Sequence, residues 1–193
     1  MSLRGERAIA FAEKVLALLE LGAFSATYKY ALLSSLLDLC LEQASSSGAP
    51  PTSLTSRQVA VKVAELYWPH AVPYQGEGIL RQGGVRSGNQ AEILSAIADF
   101  RLRHAGLVGE LFAQARLKRP EAFERLLHRV EWKLIEMPIP RLQRAGREED
   151  RFLYEYGWTQ AVRRSEVADY QRGAGRFDNR LLLHPGVAEG LLL

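Results

Sequence analysis

The chain has 193 residues, a formal net charge of +3, 47% hydrophobic and 24% charged residues. That balance excludes wholesale disorder, and a chain this long buries roughly 70% of its unfolded surface without needing disulfides or metal. One cysteine, Cys40, excludes a disulfide scaffold; no apolar run reaches the ~18–20 residues of a membrane span, and no signal-peptide pattern opens the chain, so a cytoplasmic protein is expected.

A 3.6-residue pattern dominates the first two-thirds. Residues 6–21 read as a helix with Ile9, Val15, Leu16 and Leu19 inward, ended by Gly22. A second helix, capped by Ser25 or Thr27, runs to about Gln43 and is apolar on so many sides that it is expected to be central, with Cys40 a small core residue. Ser45 to Pro51 has the composition of a loop. Thr55 and Gln58 form a capping-box pattern for a third helix with Val59, Val63 and Leu66 on one face, stopped at Trp68-Pro69. Residues 69–88, with two prolines and five glycines, are irregular. A fourth helix follows Asn89 with Ile93, Ile97 and Phe100 inward, and Leu107–Leu117 suggests a fifth. Pro120 starts another, whose Phe123, Leu126, Leu127, Val130 and Leu134 fall on one stripe; Pro138 and Pro140 close it.

Beyond 140 the pattern changes. Phe152–Tyr156 and Arg180–Leu183 read as short strands on either side of a polar, glycine-containing stretch. The expected fold class is mainly α: a compact multi-helix domain over 1–140, with a small β appendage near the C-terminus. Residues 141–193 read as that α/β appendage or as a linker, and the ending Gly190-Leu191-Leu192-Leu193 suggests a piece of something longer.

Familiar catalytic arrangements are missing from the sequence. The four histidines have no HExxH or Cys-His spacing, there is no Walker A loop, and no Gly-x-Ser-x-Gly elbow occurs. Gly83–Gly88 is glycine-rich but lacks the lysine and the preceding strand of a nucleotide loop. Glu148-Glu149-Asp150 reads as a solvated charge run before a strand. No cofactor, no metal and no enzyme activity is expected within the chain.

Charge is unevenly spread: residues 1–100 sum to −1 and residues 101–193 to +4. Neither half is the basic block of a nonspecific polyanion binder. Arginine outnumbers lysine 20 to 5, which fits phosphate recognition or a coding bias equally.

Two places carry unusual chemistry. In Thr27-Tyr28-Lys29-Tyr30, Lys29 falls in the first turn of a helix, where the macrodipole disfavours a cation. Either an anion shares the site with exposed helix N–H groups, or the lysine snorkels beside two half-buried tyrosines. The second place runs from Glu65 through Trp68, Pro69, His70, Ala71 and Tyr74 to Ile79-Leu80-Arg81-Gln82. It reads as a rigid apolar wall beside a loop whose Arg81, Gln82, Arg86, Ser87, Asn89 and Gln90 offer base-edge and phosphate donors. In the competing reading, Trp68 and Tyr74 plug the core.

These blocks, Thr27–Leu33 with Asp38-Leu39, Glu65–Pro69, Ile79–Gln82 and Gln90–Ile93, resemble the N-terminal region of bacterial HNH endonucleases. More narrowly, they resemble the DNA sulfur-binding domain of McrA-type, phosphorothioate-dependent restriction enzymes, over roughly 25–97. The resemblance implies a helical DNA-binding domain that holds one sulfur-modified phosphate of duplex DNA in an apolar surface cavity. It implies that Trp68, Pro69 and Ala71 line that cavity, that Arg81 (or Arg86) pairs with the phosphorothioate, and that Tyr28 and Lys29 approach the backbone or bases. His70, Gln82, Arg86, Ser87 and Asn89 are the further candidate contacts. No HNH metal motif follows, so the nuclease domain is expected downstream of these residues. The alternatives are a head that reads methylcytosine and a helical protein-interaction domain without DNA contact; a homodimer is left open.

Overall fold

The computed structural model describes residues 3–21, 27–72, 92–104, 109–145, 148–149 and 151–192. Helices dominate: α1 (Leu3–Leu21), α2 (Thr27–Ser47), α3 (Ser56–Tyr67), α4 (Glu92–His104), α5 (Phe112–Lys118), α6 (Pro120–Glu136), α7 (Pro138–Arg141), α8 (Arg164–Gln171) and α9 (Val187–Leu191). Short strands β1 (Ser53–Thr55), β4 (Tyr154–Tyr156) and β5 (Arg180–Leu183) form an antiparallel sheet in the order β1-β5-β4, and β2 (Arg144–Ala145) pairs with β3 (Glu148–Glu149). Among the described residues no helix is long and apolar enough to cross a membrane.

Local signals set the helix ends. The Gln58 N–H donates to Thr55 Oγ1 at 3.2 Å while the Thr55 N–H donates to Gln58 Oε1 at 2.8 Å, a reciprocal capping box that opens α3. Gly48 stops α2 in the left-handed region at φ 76°, its N–H donating to the Ala44 carbonyl. Pro120 sits at the start of α6, and the Pro138 and Pro140 pair confines the chain beyond Met137 to a single turn, α7.

The core forms where α6 packs between α3 and α4. All five stripe residues of α6 (Phe123, Leu126, Leu127, Val130 and Leu134) are buried, against Val59 and Val63 of α3 and Ile93, Ile97 and Phe100 of α4. α2 adds Leu32, Leu36, Leu39 and Cys40, but it also turns Leu37 and Leu41 to solvent, so it is central along one side only. On α1 Phe11, Val15, Leu18 and Leu19 pack inward, as expected for Val15 and Leu19, whereas Ile9 and Leu16, also expected inward, are 49% and 56% exposed. The spacing allowed either stripe, and contact with α9 and β2 selects between them. Over the predicted fifth helix, Leu111 and Leu117 are exposed, and Phe112 and Ala115 carry the packing of α5.

The division expected at residue 140 is not followed. β5 pairs with β1 from the helical part, setting buried Leu181 opposite buried Leu54. Buried Gln143 acts as a side-chain neighbour to β4: its amide nitrogen donates to the Tyr154 carbonyl, and its oxygen accepts the Leu153 and Tyr154 N–H groups. The Tyr154 hydroxyl donates to the Ile139 carbonyl, and Trp158 Nε1 to that of Ile135. Leu153, Tyr154, Trp158, Val167, Leu181 and Val187 join the same apolar cluster as the helices. Residues after 140 therefore complete the core, because β1 alone leaves its backbone and Leu54 without a partner.

One charged group is embedded in this junction. Glu131 of α6 is 1% exposed. Ser56 Oγ donates to its Oε1 at 2.7 Å, and Gln171 Nε2 donates to its Oε2 at 3.0 Å, with Arg57 Nη1 at 3.6 Å. These partners come from α3 and α8, so the carboxylate bolts three helices together.

Candidate nucleic-acid interface

Three of the sequence blocks singled out above converge at one end of α2, α3 and α4. The Tyr28 hydroxyl accepts the Ile93 N–H at 3.3 Å, satisfying a donor of the first turn of α4 that the helix itself leaves without a partner. Its ring meets that of Tyr67 edge-on, with centroids 6.1 Å apart, and burial pushes the Tyr28 phenol up to about 12. Tyr28 is thus a helix-end support as well as a candidate contact.

Trp68 is the hub beside it. Its ring is 4% exposed and lies among Phe100, Phe112 and Phe123, with centroids 5.9, 5.6 and 6.2 Å away. Its indole N–H donates to the Glu110 carbonyl at 2.8 Å. The buried Arg101 guanidinium donates to the Trp68 carbonyl at 2.6 Å and stacks over the ring at 4.7 Å, a cation–π contact in a desolvated place. Burial lowers the Arg101 pKa, while the nearby Glu110 carboxylate favours its charged form. Lys118 and Arg119 in turn hold the Glu110 carboxyl below its usual range.

The placement of the predicted wall therefore needs correcting. Trp68 and Ala71 are interior, Ala71 with 0% exposure, so the described residues do not form a surface cavity lined by Trp68, Pro69 and Ala71. The reason is the tight turn after α3. The His70 and Ala71 N–H groups donate to the Tyr67 and Trp68 carbonyls, which curls Ala71 back under the turn and leaves Pro69 and His70 exposed, with Val72 half-buried. Lys29 is also interior, at 4% exposure. Its ammonium donates to the Leu18 carbonyl of α1, and burial lowers its pKa. It links α2 to α1 instead of facing an incoming backbone. Tyr74, Arg81, Gln82, Arg86, Ser87, Asn89 and Gln90 lie outside the described residues.

What the site has is a frame. The segment 73–91 leaves from a turn pinned by Trp68 and Arg101, and returns at a helix start held by Tyr28. Spacing gave no signal for Arg101 or Glu110; an Arg followed by a carboxylate nine residues later matches no local pattern. The other candidate chemistries are placed as follows. Burial pushes the Cys40 thiol up to about 11, which keeps it protonated. Glu149 pairs in register with Arg144 in the β2–β3 hairpin. Among the described residues no group of three or more His, Cys, Asp or Glu side chains gathers to hold a metal.

A family profile described as "Domain of unknown function (DUF8808)" matches residues 8–181, and the chain belongs to that family. No curated protein and no solved structure matches it.

Proposed function

We propose that this member of the DUF8808 family is a cytoplasmic DNA-recognition module that reads phosphorothioate-modified duplex DNA and directs an HNH nuclease domain outside these residues to it. Its own residues bind, and the cutting belongs to that domain. The observation supporting the reading is convergence: Tyr28 holds the helix start at Ile93, 65 residues away, and Arg101 pins the turn at Trp68, so the described residues on both sides of the segment that bears Arg81, Gln82, Arg86, Ser87 and Asn89 are fixed. A loop tethered at both ends on a rigid base presents donors to a duplex with less loss of conformational freedom than a free one.

The mark itself rests on the sequence resemblance. Sulfur in place of a phosphate oxygen is larger, more polarisable and less strongly hydrated, so it gains dispersion and burial energy against an apolar surface. An ordinary oxygen placed there loses water without a donor in return, at about 1–3 kcal/mol. Exposed Pro69 and half-buried Val72, backed by Trp68, are the apolar surface at the turn; the cation, Arg81 or Arg86, is the one the resemblance implies.

The test is equilibrium binding of this chain to matched plain, phosphorothioate and methylcytosine duplexes across a salt titration. We expect the sulfur-modified duplex to bind tightest at every salt concentration, and the affinity for all three to fall as salt rises. Equal affinity for plain and sulfur-modified DNA throughout removes sulfur reading, and preference for the methylated duplex substitutes the other mark. Binding to none of them removes the DNA function and leaves a protein-interaction domain.

A further inference from the structure

We propose that the groove between α4 and α6 is a second DNA site, which takes the phosphate backbone of the duplex irrespective of any mark. It rests on the DNA-binding function above, and concerns residues that the sequence blocks do not include. Two hollows of about 220 and 140 Å³ lie along this groove and share Ala96 and Arg129. Their rim carries Arg103 and His104 at the end of α4, Arg125 and Arg129 on α6, and Arg164 in the first turn of α8, all exposed.

Few carboxylates neutralise them. Asp99 reaches Arg103 at 3.8 Å, and Glu92 is engaged by Lys133. Among the described residues no ion pair is formed by Arg125, Arg129 or Arg164. Arg125 and Arg129 stand one turn apart, about 6 Å along the helix axis, in the i,i+4 relation where like charges destabilise a helix. Arg164 sits in the first turn of α8, where the macrodipole opposes a cation, while Glu166 of the same turn is engaged by the Arg163 N–H. An anion in the groove relieves both conflicts.

The kind of anion follows from size and position. Each hollow is below the ~300 Å³ at which small-ligand pockets begin, so an extended chain of anionic groups fits better than one enclosed molecule. Guanidinium forks match phosphate oxygens two at a time. Glu92, the first residue of α4, lines the smaller hollow, so the groove begins at the end of α4 that Tyr28 supports.

The experiment compares the wild-type chain with Arg125→Ala/Arg129→Ala and with a control pair, Arg116→Ala/Arg141→Ala. The control removes the same charge from exposed positions outside the groove. Fluorescence anisotropy with labelled plain and phosphorothioate duplexes is read between about 50 and 200 mM salt. The groove pair is expected to lose about tenfold in affinity for both duplexes equally, and to reduce the log–log salt slope by about two units, one per phosphate contact. Arg125→Lys/Arg129→Lys is expected to retain most of the slope, which separates loss of charge from loss of fold, and circular dichroism checks all variants. A groove pair whose slope matches that of the control pair overturns the groove while leaving DNA recognition intact; so does a groove pair that weakens only the marked duplex. Wild-type protein that binds neither duplex overturns both, and an acidic protein partner then becomes the occupant to seek.

Discussion

His128, on α6 beside Arg57, is held below its ordinary value of 6.5, first by burial and then by the neighbouring guanidinium, with Glu124 and Glu131 opposing. In the unfolded chain the imidazole takes its proton near that ordinary value, whereas in the folded chain it does so only at lower pH. Protonation therefore favours unfolding. The contribution is complete above about pH 6.5 and is lost as pH falls through the folded-state pKa. Replacing His128 with Gln is expected to flatten this part of the stability profile, measured as denaturant midpoints from about pH 8 to pH 5. Parallel profiles for the two proteins would assign the acid sensitivity to other groups. The same competition between burial and partnership explains Lys29 and Arg101: each is a cation inside the protein, and each donates a hydrogen bond to a backbone carbonyl.

Helices α3, α6 and α8 are held together by polar contacts as well as apolar ones. Glu131 has partners on both oxygens, Ser56 on one and Gln171 and Arg57 on the other. Tyr170, one residue before Gln171, accepts from Asn179 Nδ2 at 2.7 Å and so extends the network toward β5. Removing the carboxylate leaves the Ser56 hydroxyl without this acceptor, the Gln171 amide with the His128 carbonyl alone, and Arg57 with Glu124 as its remaining counter-charge. Glu131→Ala is expected to cost about 3 kcal/mol of unfolding free energy, in the range for breaking a buried charged pair. Glu131→Gln, which keeps the volume and one acceptor, is expected to cost less. Urea unfolding followed by circular dichroism measures both, and a loss under about 1 kcal/mol for Glu131→Ala would make the network incidental to stability.

On the scale of the whole molecule, strands and apolar side chains from both ends of the chain share one core. β5 separates β1 from β4 in the sheet, and Tyr154, Trp158 and Leu181 are buried against residues of the helical part. Ending the chain at residue 140 exposes Leu54 and the floor under α6. Residues 1–140 alone are expected to melt without a cooperative transition and to bind a hydrophobic dye. A sharp melt with dispersed amide resonances would restore the two-unit division. For the proposed functions, one core means that segment 73–91 and the α4–α6 groove are mounted on the same packed α4.

What the sequence determined by itself is local. The capping box at Thr55 and Gln58, the stop at Trp68-Pro69, the start at Pro120 and the buried stripe of α6 involve groups within a turn or two of each other, whereas α2 runs to Ser47, past the end expected near Gln43. Their energetics are settled before any distant partner arrives, and the mainly helical class follows from them. The tertiary structure alone decided which side of each helix faced inward when two stripes competed, as on α1. It also decided that Ala71 and Trp68 belong to the interior, that Lys29 finds a carbonyl on another helix, and that residues near 53 and 181 form one sheet. The cationic row of the groove has the same origin, since Arg103, Arg125 and Arg164 lie far apart in sequence and acquire a common surface only when α4, α6 and α8 pack. Burial and electrostatic potential are sums over neighbours in space, and a chain read in order contains only its neighbours in sequence.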